Sequence, residues 1–524
     1  MKLLPKFGPL DKSLLSGIIS FVMTIRVSLP EWPLKRVYAL AAARGVRVWL
    51  VGGAVRDALL GQPVHDWDFA VNRNALGLAR AVADALGGAY FPLDAERGTG
   101  RVILAAEDST HLELDFAVLR GASLEADLLA RDFTINAMVL DETSVLIDPL
   151  GGQADLEAGR IRATNEHIFQ DDPVRLLRAV RMEAELGFEI EPQTAVWMRR
   201  DAPLLALPSA ERVRDEFARG TAVPGASTYL HRLDEFGLLP HVAPELELLK
   251  PVTQSPPHRF DVWSHTLLVV DTLERVVAAV TGQEVGPRAL ADAPPAVWGD
   301  LARVLGQFAG DMTAHLAVEV SGGRDRALLL KLAALLHDIG KPETWSQGED
   351  GRIHFYNHEP VGARIAAARL RALRFSRDEV ERVCVMVRGH LRPAHLARAE
   401  RITRRAVYRY FRATGDAGVE VVLLSLADHL ATWGPNLQER RWARRLEMAE
   451  VLLTHYFEHH EETVAPPPLV TGHDLMAELG LGEGPEIGRL LEALREAQAA
   501  GEVRTREEAL ALARRLRPAP ADGC

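Results

Sequence analysis

Adjacent glycines and a pair of spaced carboxylates lie close together in the first fifth of this 524-residue chain. The apolar run Val48–Val51 leads into Gly52 and Gly53, and adjacent glycines let a backbone approach phosphate oxygens where a Cβ would obstruct. Asp66 and Asp68 then follow on a second β-type run, and alternate residues of a strand share one face. Magnesium is usually held by one or two carboxylates together with substrate phosphates. The spacing therefore predicts a site for Mg²⁺ and a nucleoside triphosphate.

The same stretch carries a family resemblance. Its Gly-Gly, Arg56-Asp57 and Asp-x-Asp elements are similar to the signature of the tRNA nucleotidyltransferase and poly(A) polymerase family, within the wider polymerase beta superfamily. The resemblance implies nucleotidyl transfer, with Asp66 and Asp68 as catalytic metal ligands and Gly52, Gly53 and Arg56 at the nucleotide. By spacing from Arg120, it also makes Asp115 a candidate third catalytic carboxylate. An ordinary strand acid is the alternative for Asp115.

Two further segments resemble nucleotide-binding motifs of that family. The resemblance implies that Arg131, Asp132 and Asn136 contact ribose and triphosphate. It also implies that Asp172 and Arg175 read the incoming base, with Arg178 beside them. A carboxylate next to a guanidinium satisfies cytosine or adenine, whereas uracil and guanine would leave buried groups unpaired at roughly 1–3 kcal/mol each. The pair therefore predicts selection of CTP and ATP, although a basic helical stripe is more often a solvated face.

The segment between Arg120 and Arg131 is short. It has ten residues, GASLEADLLA, where many complete CCA-adding relatives have a longer flexible loop. In the family, shortening of this loop is associated with enzymes that stop after two cytidines. We therefore expect CC addition to the tRNA 3′ end from CTP, with full CCA addition from CTP and ATP, and poly(A) synthesis, as alternatives.

The second half of the chain contains an ordered set of histidines and aspartates. This set resembles that of the HD phosphohydrolases. A first metal site is predicted from His265, His337, Asp338 and Asp428. His358 and His390 are predicted to help bind a second ion. Histidine nitrogens with carboxylates suit divalent transition metals, so hydrolysis of phosphomonoesters or cyclic phosphates is predicted. The alternative is a degenerate domain that only positions RNA.

The predicted fold class is α+β: a polymerase-beta-like nucleotidyltransferase α/β head followed by mostly α-helical domains, including an HD domain. Helical periodicity dominates from about residue 155, and the Gly/Pro/Ala-rich stretch 282–323 is typical of an insertion or linker. The predicted domains are an N-terminal extension 1–30, a nucleotidyltransferase head 31–155, a helical base-reading domain 156–245, an HD-type domain 246–435 and a helical tRNA-binding domain 436–524. Arg404, Arg405 and Arg409 are interleaved with aromatic residues, which predicts RNA contact, although such charge runs are usually solvated faces.

The net charge and the cysteine content limit the classes of binding partner and the cellular compartment that we expect for this protein. A net charge of −11 argues against a protein that coats nucleic acid indiscriminately, while a local basic surface can still bind one tRNA. Two cysteines give no disulfide framework and suit a reducing compartment, and no membrane partner is expected, so a cytoplasmic location is predicted. Two other classes of function remain open from the sequence: a chain that is principally an HD metal-dependent phosphohydrolase, and a non-catalytic RNA-binding protein. Intact Asp66 and Asp68 count against both. The oligomeric state is open.

Overall fold

The computed structural model describes residues 31–64, 66–105, 111–283 and 293–516. The predicted N-terminal extension, residues 1–30, lies outside the described residues. Contacts divide the chain into two compact units, Met1–Leu204 and Leu205–Cys524, and each is described by itself. The division falls within the predicted base-reading segment 156–245.

The first unit is built on a seven-stranded mixed sheet of order β3-β4-β5-β2-β1-β6-β7, in which only the β2–β5 pair is parallel. Its strands are β1 (Val48–Val51), β2 (Asp66–Val71), β3 (Ala89–Asp94), β4 (Thr99–Ala105), β5 (His111–Val118), β6 (Val139–Leu140) and β7 (Leu146–Ile147), and a parallel pair outside this sheet is β8 (Arg160–Ile161) with β9 (Glu189–Ile190). Its helices are α1 (Glu31–Ala43), α2 (Gly53–Leu59), α3 (Ala75–Leu86), α4 (Leu124–Leu129), α5 (Gly152–Glu157), α6 (Ile168–Asp171), α7 (Arg175–Leu186) and α8 (Pro192–Asp201).

The head sheet is covered by α3, whose limits follow from its sequence. The Asn74 side chain accepts a hydrogen bond from Gly77 N at 3.2 Å, and Gly87 ends the helix in the left-handed conformation. Leu78 and Val82 are fully buried, one helical turn apart, and α3 packs on β4. On the strands themselves, Phe69 of β2 lies fully buried, so the opposite face of β2 carries the aspartates.

The second unit is mostly helical, as the periodicity predicts. Its helices are α9 (Ala210–Ala222), α10 (Ala226–Glu235), α11 (Leu239–Val242), α12 (Val262–Thr281), α13 (Ala296–Leu305), α14 (Ala309–Leu316), α15 (Arg326–Leu336), α16 (Lys341–Thr344), α17 (His358–Ala372), α18 (Arg377–Gly389), α19 (Arg392–Leu396), α20 (Arg404–Thr414), α21 (Gly418–Trp433), α22 (Glu439–Phe457), α23 (Gly472–Leu479), α24 (Pro485–Ala499) and α25 (Arg506–Leu516). Two small antiparallel pairs interrupt them: β10 (Glu319–Ser321) with β11 (Arg324–Asp325), and β12 (Trp345–Gln347) with β13 (Ile353–Phe355).

Two long apolar helices form the centre of the second unit. Helix α12, capped by Asp261, packs against α21; most residues of α12 and nearly all of α21 are buried. A separate hydrophobic cluster lies near the C-terminal end and includes Leu475, Leu490 and Leu510. None of the helices in the described part of the chain has the length and apolarity that crossing a membrane requires.

The stretch 282–323, predicted to be an insertion or linker, is helical over much of its described length, which the linker alternative did not anticipate. Residues 284–292 lie outside the described residues, but α13 and α14 follow them, and α13 packs on α12. Val297, Leu301 and Leu305 are four residues apart and buried, so they place one face of α13 in the core. The surrounding glycine and proline residues masked this short helical period.

Candidate active site and metal centre

Three carboxylates meet on the exposed face of the head sheet. Asp66 and Asp68 are alternate residues of β2, and Asp68 lies in register with Asp115 on the parallel strand β5. The opposite face is closed by Phe69 and Phe116, whose rings stack 4.9 Å apart. The aspartates predicted as catalytic are therefore brought to one place because the register aligns them across two strands.

The electrostatics of this carboxylate group favour a bound cation. Burial, together with the charges of Asp115 and Asp66, raises the pKa of Asp68 from its ordinary value of 3.8 to about 6, against the opposing charges of Arg131 and Arg101. Carboxylate oxygens are the ligands that Mg²⁺ prefers, and a bound ion would neutralise the negative charge that makes ionised Asp68 unfavourable.

Arg101 is a residue of this site that the sequence did not point to. It lies opposite Asp115 in the β4–β5 ladder, and its Nε and Nη2 atoms each donate to Asp115 at 2.8 Å. Arg101 also forms an ion pair with Glu113. The sequence shows only an arginine within the strand-like run TGRVILA, and its partner becomes known only from the strand register.

Gly52 has a steric reason to be glycine. Its φ is +75°, and an added Cβ would lie 3.2 Å from Asp68 Oδ2 and 3.5 Å from Arg131 Nη1. The residue therefore lets β1 turn into α2 directly beside the carboxylates. Gly53 is less constrained, because the contacts of a Cβ there begin at 3.5 Å, with Arg56.

A hydrogen-bonded chain joins four of the predicted nucleotide-binding residues. Arg56 Nη1 donates to Asn136 Oδ1 at 2.8 Å, Asn136 Nδ2 donates to Asp132 at 3.1 Å, and Arg178 Nη1 donates to Asp132 at 3.1 Å. Burial acts to raise the pKa of Asp132, but the Arg178 charge and the hydrogen bonds outweigh it, so the pKa is lowered. Arg131 is held separately, with Nε donating to Asp127 at 3.0 Å.

Asp172 and Arg175 lie side by side at the start of α7. Arg175 Nε is 3.9 Å from Asp172 Oδ2, so the two are close without a direct hydrogen bond. Arg175 is buried and donates to the Ala130 carbonyl at 3.1 Å and to the Ile168 carbonyl at 3.4 Å. These carbonyl contacts fix the direction of the guanidinium. Its neighbour Asp172 is partly exposed.

In the second unit, the predicted histidine set converges on Asp338. His265 Nε2 is 3.1 Å from Asp428 Oδ1, and His337 Nε2 is 3.1 Å from Asp338 Oδ2. The ligand atoms fall into two groups that share Asp338: His265, His337 and Asp338, and Asp338, His358 and His390, with separations within 4.8 Å. Four helices and their ends supply these residues, so the site depends on packing rather than on one local motif.

Three of the histidines are oriented in the same way. His337, His358 and His390 each lie at a helix end, where Nδ1 faces the carbonyl oxygen three residues earlier at 2.8, 2.8 and 2.7 Å. A carbonyl only accepts, so Nδ1 carries a proton in each ring, and Nε2 presents a lone pair whenever the ring is neutral. His358 Nε2 and His390 Nε2 face each other at 3.3 Å. Two lone pairs this close repel unless a proton or a metal ion lies between them, and tetrahedral ligands about 2.0 Å from one ion are about 3.3 Å apart, so the spacing suits a metal ion.

Three other side chains border the histidine site. Lys341 Nζ is 2.6 Å from Asp338 Oδ2 and donates to Gln254 Oε1 at 2.6 Å. The His258 ring lies 5.1 Å from that of His265. Gln254 and His258 were missed by the sequence reasoning; the only signal for them is that they precede His265 in the segment QSPPHRF.

The arginines predicted to contact RNA are exposed but paired with acids. Arg404 donates to Glu462 at 2.8 Å, and Arg409 donates to Glu496 at 2.6 Å. Arg405 donates to Glu502 at 2.9 Å. The basic face of α20 is thus turned toward acidic residues that follow α22 in the chain, one of which, Glu496, lies on α24.

Comparison with known proteins agrees with this arrangement. The poly A polymerase head domain matches residues 48–162, the probable RNA and SrmB-binding site of polymerase A matches 187–249, and the HD domain matches 302–433. The chain is 38% identical over 475 residues to the A-adding tRNA nucleotidyltransferase of Deinococcus radiodurans, covering 89% of this chain and 94% of that protein. It is 36% identical over 472 residues to the CC-adding tRNA nucleotidyltransferase of Thermus thermophilus, covering 88% and 92%.

Solved structures share the fold. The Thermotoga maritima CCA-adding enzyme complexed with tRNA is similar with a TM-score of 0.54 and 19% identity, covering 92% of this chain and 94% of that one. A complex of CCA-adding enzyme with ATP gives a TM-score of 0.58 at 20% identity, covering 91% and 93%. The fold and the carboxylate site define a nucleotidyltransferase with an attached HD domain. The identities to its relatives make the assignment more specific: this chain belongs to the tRNA nucleotidyltransferases of the CCA-adding family, and it is a tRNA-processing enzyme.

Proposed function

We propose that this enzyme adds two cytidines to the tRNA 3′ end from CTP and releases pyrophosphate. The oxygen of the 3′-hydroxyl attacks the α-phosphorus, the bond to the bridging oxygen of the β-phosphate breaks, and the hydroxyl proton passes to solvent. Asp66, Asp68 and Asp115 would hold magnesium, which when bound lowers the hydroxyl pKa and neutralises charge on the leaving pyrophosphate. Arg56, Arg131 and Arg178 supply positive charge beside these carboxylates for the triphosphate.

The observation that carries CC addition is the short segment between Arg120 and Arg131. It contains α4, whose N-terminus is capped by Ser123 at 3.2 Å from Ala126 N. Buried Asp127 accepts from Arg120 N at 2.8 Å and from Arg131 Nε at 3.0 Å, which ties the two ends of the segment together. A ten-residue stretch pinned in this way has no length left for the longer flexible loop of complete CCA-adding relatives. CC-adding relatives from Thermus thermophilus and Geobacter sulfurreducens, at 36% and 34% identity, support the same proposal.

Addition of the terminal adenosine is a second candidate. It is favoured by the 38% identity to the A-adding enzyme of Deinococcus radiodurans.

One experiment separates the candidates. Purified protein would be incubated with a tRNA that ends at the discriminator base or with one that ends in CC. Each tRNA would receive CTP, ATP or both, and product length would be read at single-nucleotide resolution. CC addition predicts two added residues on the first tRNA and none on the second. Adenosine addition predicts one ATP-dependent residue on the second tRNA alone, and three residues on the first tRNA would mean full CCA addition.

For base selection, we propose that Asp172 and Arg175 form the reading edge for cytosine. The carboxylate accepts from the amino group and the guanidinium donates to the ring nitrogen. Asp172→Asn replaces one acceptor oxygen by a donor, so discrimination between CTP and UTP in kcat/KM is expected to fall by about tenfold or more. Asp171→Asn is the matched control, because Asp171 is exposed next to it in the chain. Equal discrimination in both variants would contradict this role.

The histidine site is proposed to bind divalent transition metal and to hydrolyse phosphomonoesters or cyclic phosphates. The facing Nε2 atoms of His358 and His390, 3.3 Å apart, support metal binding. Lys341, at 2.6 Å from Asp338, would orient the phosphate. His390→Gln is expected to lower the metal content measured after dialysis, whereas His473→Gln, an exposed histidine on α23, should not. Full metal retention in the first variant would contradict the assignment.

Contact with tRNA through α20 is also a proposal. The phosphates would have to replace the glutamate partners of Arg404, Arg405 and Arg409, which is feasible because exposed ion pairs are weak. Arg409→Gln should weaken tRNA binding and reduce its salt dependence, as measured by filter binding at several salt concentrations. An unchanged salt dependence would remove this contact from the proposal.

A further inference from the structure

A cluster of arginine, histidine and tryptophan side chains adjoins the histidine site and is not used by the function proposed above. It comprises His429 and Trp433 on α21, Arg441 and Arg445 on α22, and Arg398 in the loop after α19, and it is called the Arg445 pocket below. His429 directly follows Asp428 in the chain. The Arg441 guanidinium lies 4.6 Å from the Trp433 ring centre, and the His429 ring lies 6.2 Å from it.

Two hydrogen-bonding atoms in the Arg445 pocket are buried without a partner. Within the described part of the chain, Arg445 Nη1 and His429 Nε2 are shielded from solvent and make no hydrogen bond. The His429 side chain is almost wholly enclosed, because the residue is only 6% exposed. Buried polar atoms nearly always have a partner, and an exception calls for an unseen ion, water or ligand.

The charges around Arg445 are unbalanced. Burial, together with the positive charges of Arg398 and Arg441, lowers the pKa of the Arg445 guanidinium, and Asp428 opposes this. Asp428 is engaged by His265 at 3.1 Å and makes no ion pair with Arg445 among the described residues. The loop that carries Arg398 is held against α22 by Arg444, which donates to the Glu400 carbonyl at 3.2 Å. Several cations are therefore fixed around a buried, unpaired guanidinium edge.

We propose that the Arg445 pocket binds a phosphate group next to the histidine site. A guanidinium presents paired N–H donors that match two phosphate oxygens, and a neutral His429 ring with its single proton on Nε2 donates to a third. The phosphate can belong to an RNA backbone or to free phosphate or pyrophosphate. This inference goes beyond the proposed function because it assigns a separate phosphate-binding site. It would stand even if the histidine site had no hydrolytic activity.

The test is calorimetric titration of the full-length protein with three probes: inorganic phosphate, pyrophosphate and the dinucleotide cytidylyl-3′,5′-cytidine. Arg445→Met keeps the side-chain length but removes the charged fork, so the Kd for the preferred probe should rise by about ten- to a hundredfold. Arg440→Met is the matched control, because Arg440 is exposed on the same helix and is not a member of the Arg445 pocket. The probe with the largest Arg445-dependent change identifies the source of the phosphate.

Binding elsewhere in the protein is separated by the same comparison. A probe that binds only in the head keeps its Kd in the Arg445→Met variant, and an unchanged Kd for all three probes overturns the proposal. An equal loss in Arg440→Met also overturns it. If Arg445→Met does not fold by circular dichroism, Arg398→Met decides, because Arg398 is exposed and tolerates replacement. That variant should bind the preferred probe at least several-fold more weakly, and wild-type affinity in it refutes the pocket.

Discussion

Replacing Asp68 by asparagine is expected to make the metal-free head more stable, although it removes a predicted magnesium ligand. Burial raises the pKa of Asp68 from 3.8 to about 6, with help from the neighbouring carboxylates. Asparagine has nearly the same shape and carries no charge at any pH. The variant therefore relieves the cost of holding a buried carboxylate next to Asp66 and Asp115, in an arrangement suited to a cation.

The sign and size follow from proton linkage. A folded-state pKa above the unfolded value means that the proton stabilises the fold, so stability is full below about pH 3.8 and is lost as pH rises through about 6. The rise of about two pH units corresponds to at most about 3 kcal/mol at pH 7.5, at about 1.4 kcal/mol per unit. Some solvent access to Asp68 makes this an upper limit. The advantage of the variant should shrink as the pH is lowered toward 4.

The assay is hydrogen exchange of the β2 and β5 amides in EDTA, which reports on the head separately from the second unit. A gain of about 3 kcal/mol corresponds to about a hundredfold stronger protection at pH 7.5. Asp66→Asn is the comparison, because Asp66 is exposed and its replacement removes one repelling charge but leaves the burial of Asp68 in place, so its gain in protection should be much smaller than that of Asp68→Asn. Both variants should lose nucleotidyl transfer. Protection in Asp68→Asn equal to or weaker than wild type at pH 7.5 would refute the electrostatic reasoning.

Three other outcomes are expected. Gly52→Ala should lower kcat/KM for CTP by at least about tenfold with the fold retained, because a Cβ would lie 3.2 Å from Asp68 Oδ2 at a φ of +75°. Circular dichroism would check the fold and initial rates the activity, and wild-type activity would contradict the prediction. Glu420→Gln should cost about 3–5 kcal/mol in urea unfolding of the second unit, because fully buried Glu420 is bonded by Arg382. Arg409→Gln, at an exposed ion pair, should cost less than about 1 kcal/mol, and equal losses would show that burial is not the cause. Chelation of divalent metal should lower the unfolding temperature of the second unit in calorimetry, and an unchanged temperature would argue that the histidine site holds no ion.

Much of the head could be predicted because its signals are local. The apolar run Val48–Val51 is strand β1 with the predicted bounds, and the Asp-x-Asp spacing places both carboxylates on one face of β2. The α+β fold class and the family are confirmed. These features depend on residues within about ten positions of one another, where strand alternation and turn glycines leave a direct trace.

Other features depend on partners far away in the sequence. Arg101 reaches Asp115 only because β4 and β5 pair in one register. The acids that face the basic side of α20 lie more than fifty residues later, so the sequence shows the arginines but not their partners. The strand pairs β10–β11 and β12–β13 are local, but their strands are only two or three residues long, too short to show an alternating pattern within a region of helical periodicity.

The sequence by itself determined which chemistry this protein carries: the glycines, the paired aspartates and the ordered histidines name the reactive groups and their order. Only the tertiary structure decided how those groups meet. Strand register places Asp68 beside Asp115, and helix packing brings His358 Nε2 and His390 Nε2 to 3.3 Å from each other. The physical reason is that each residue's type is given directly by the sequence. Its charge environment depends instead on contacts with residues that are distant in the sequence and close only in the folded chain.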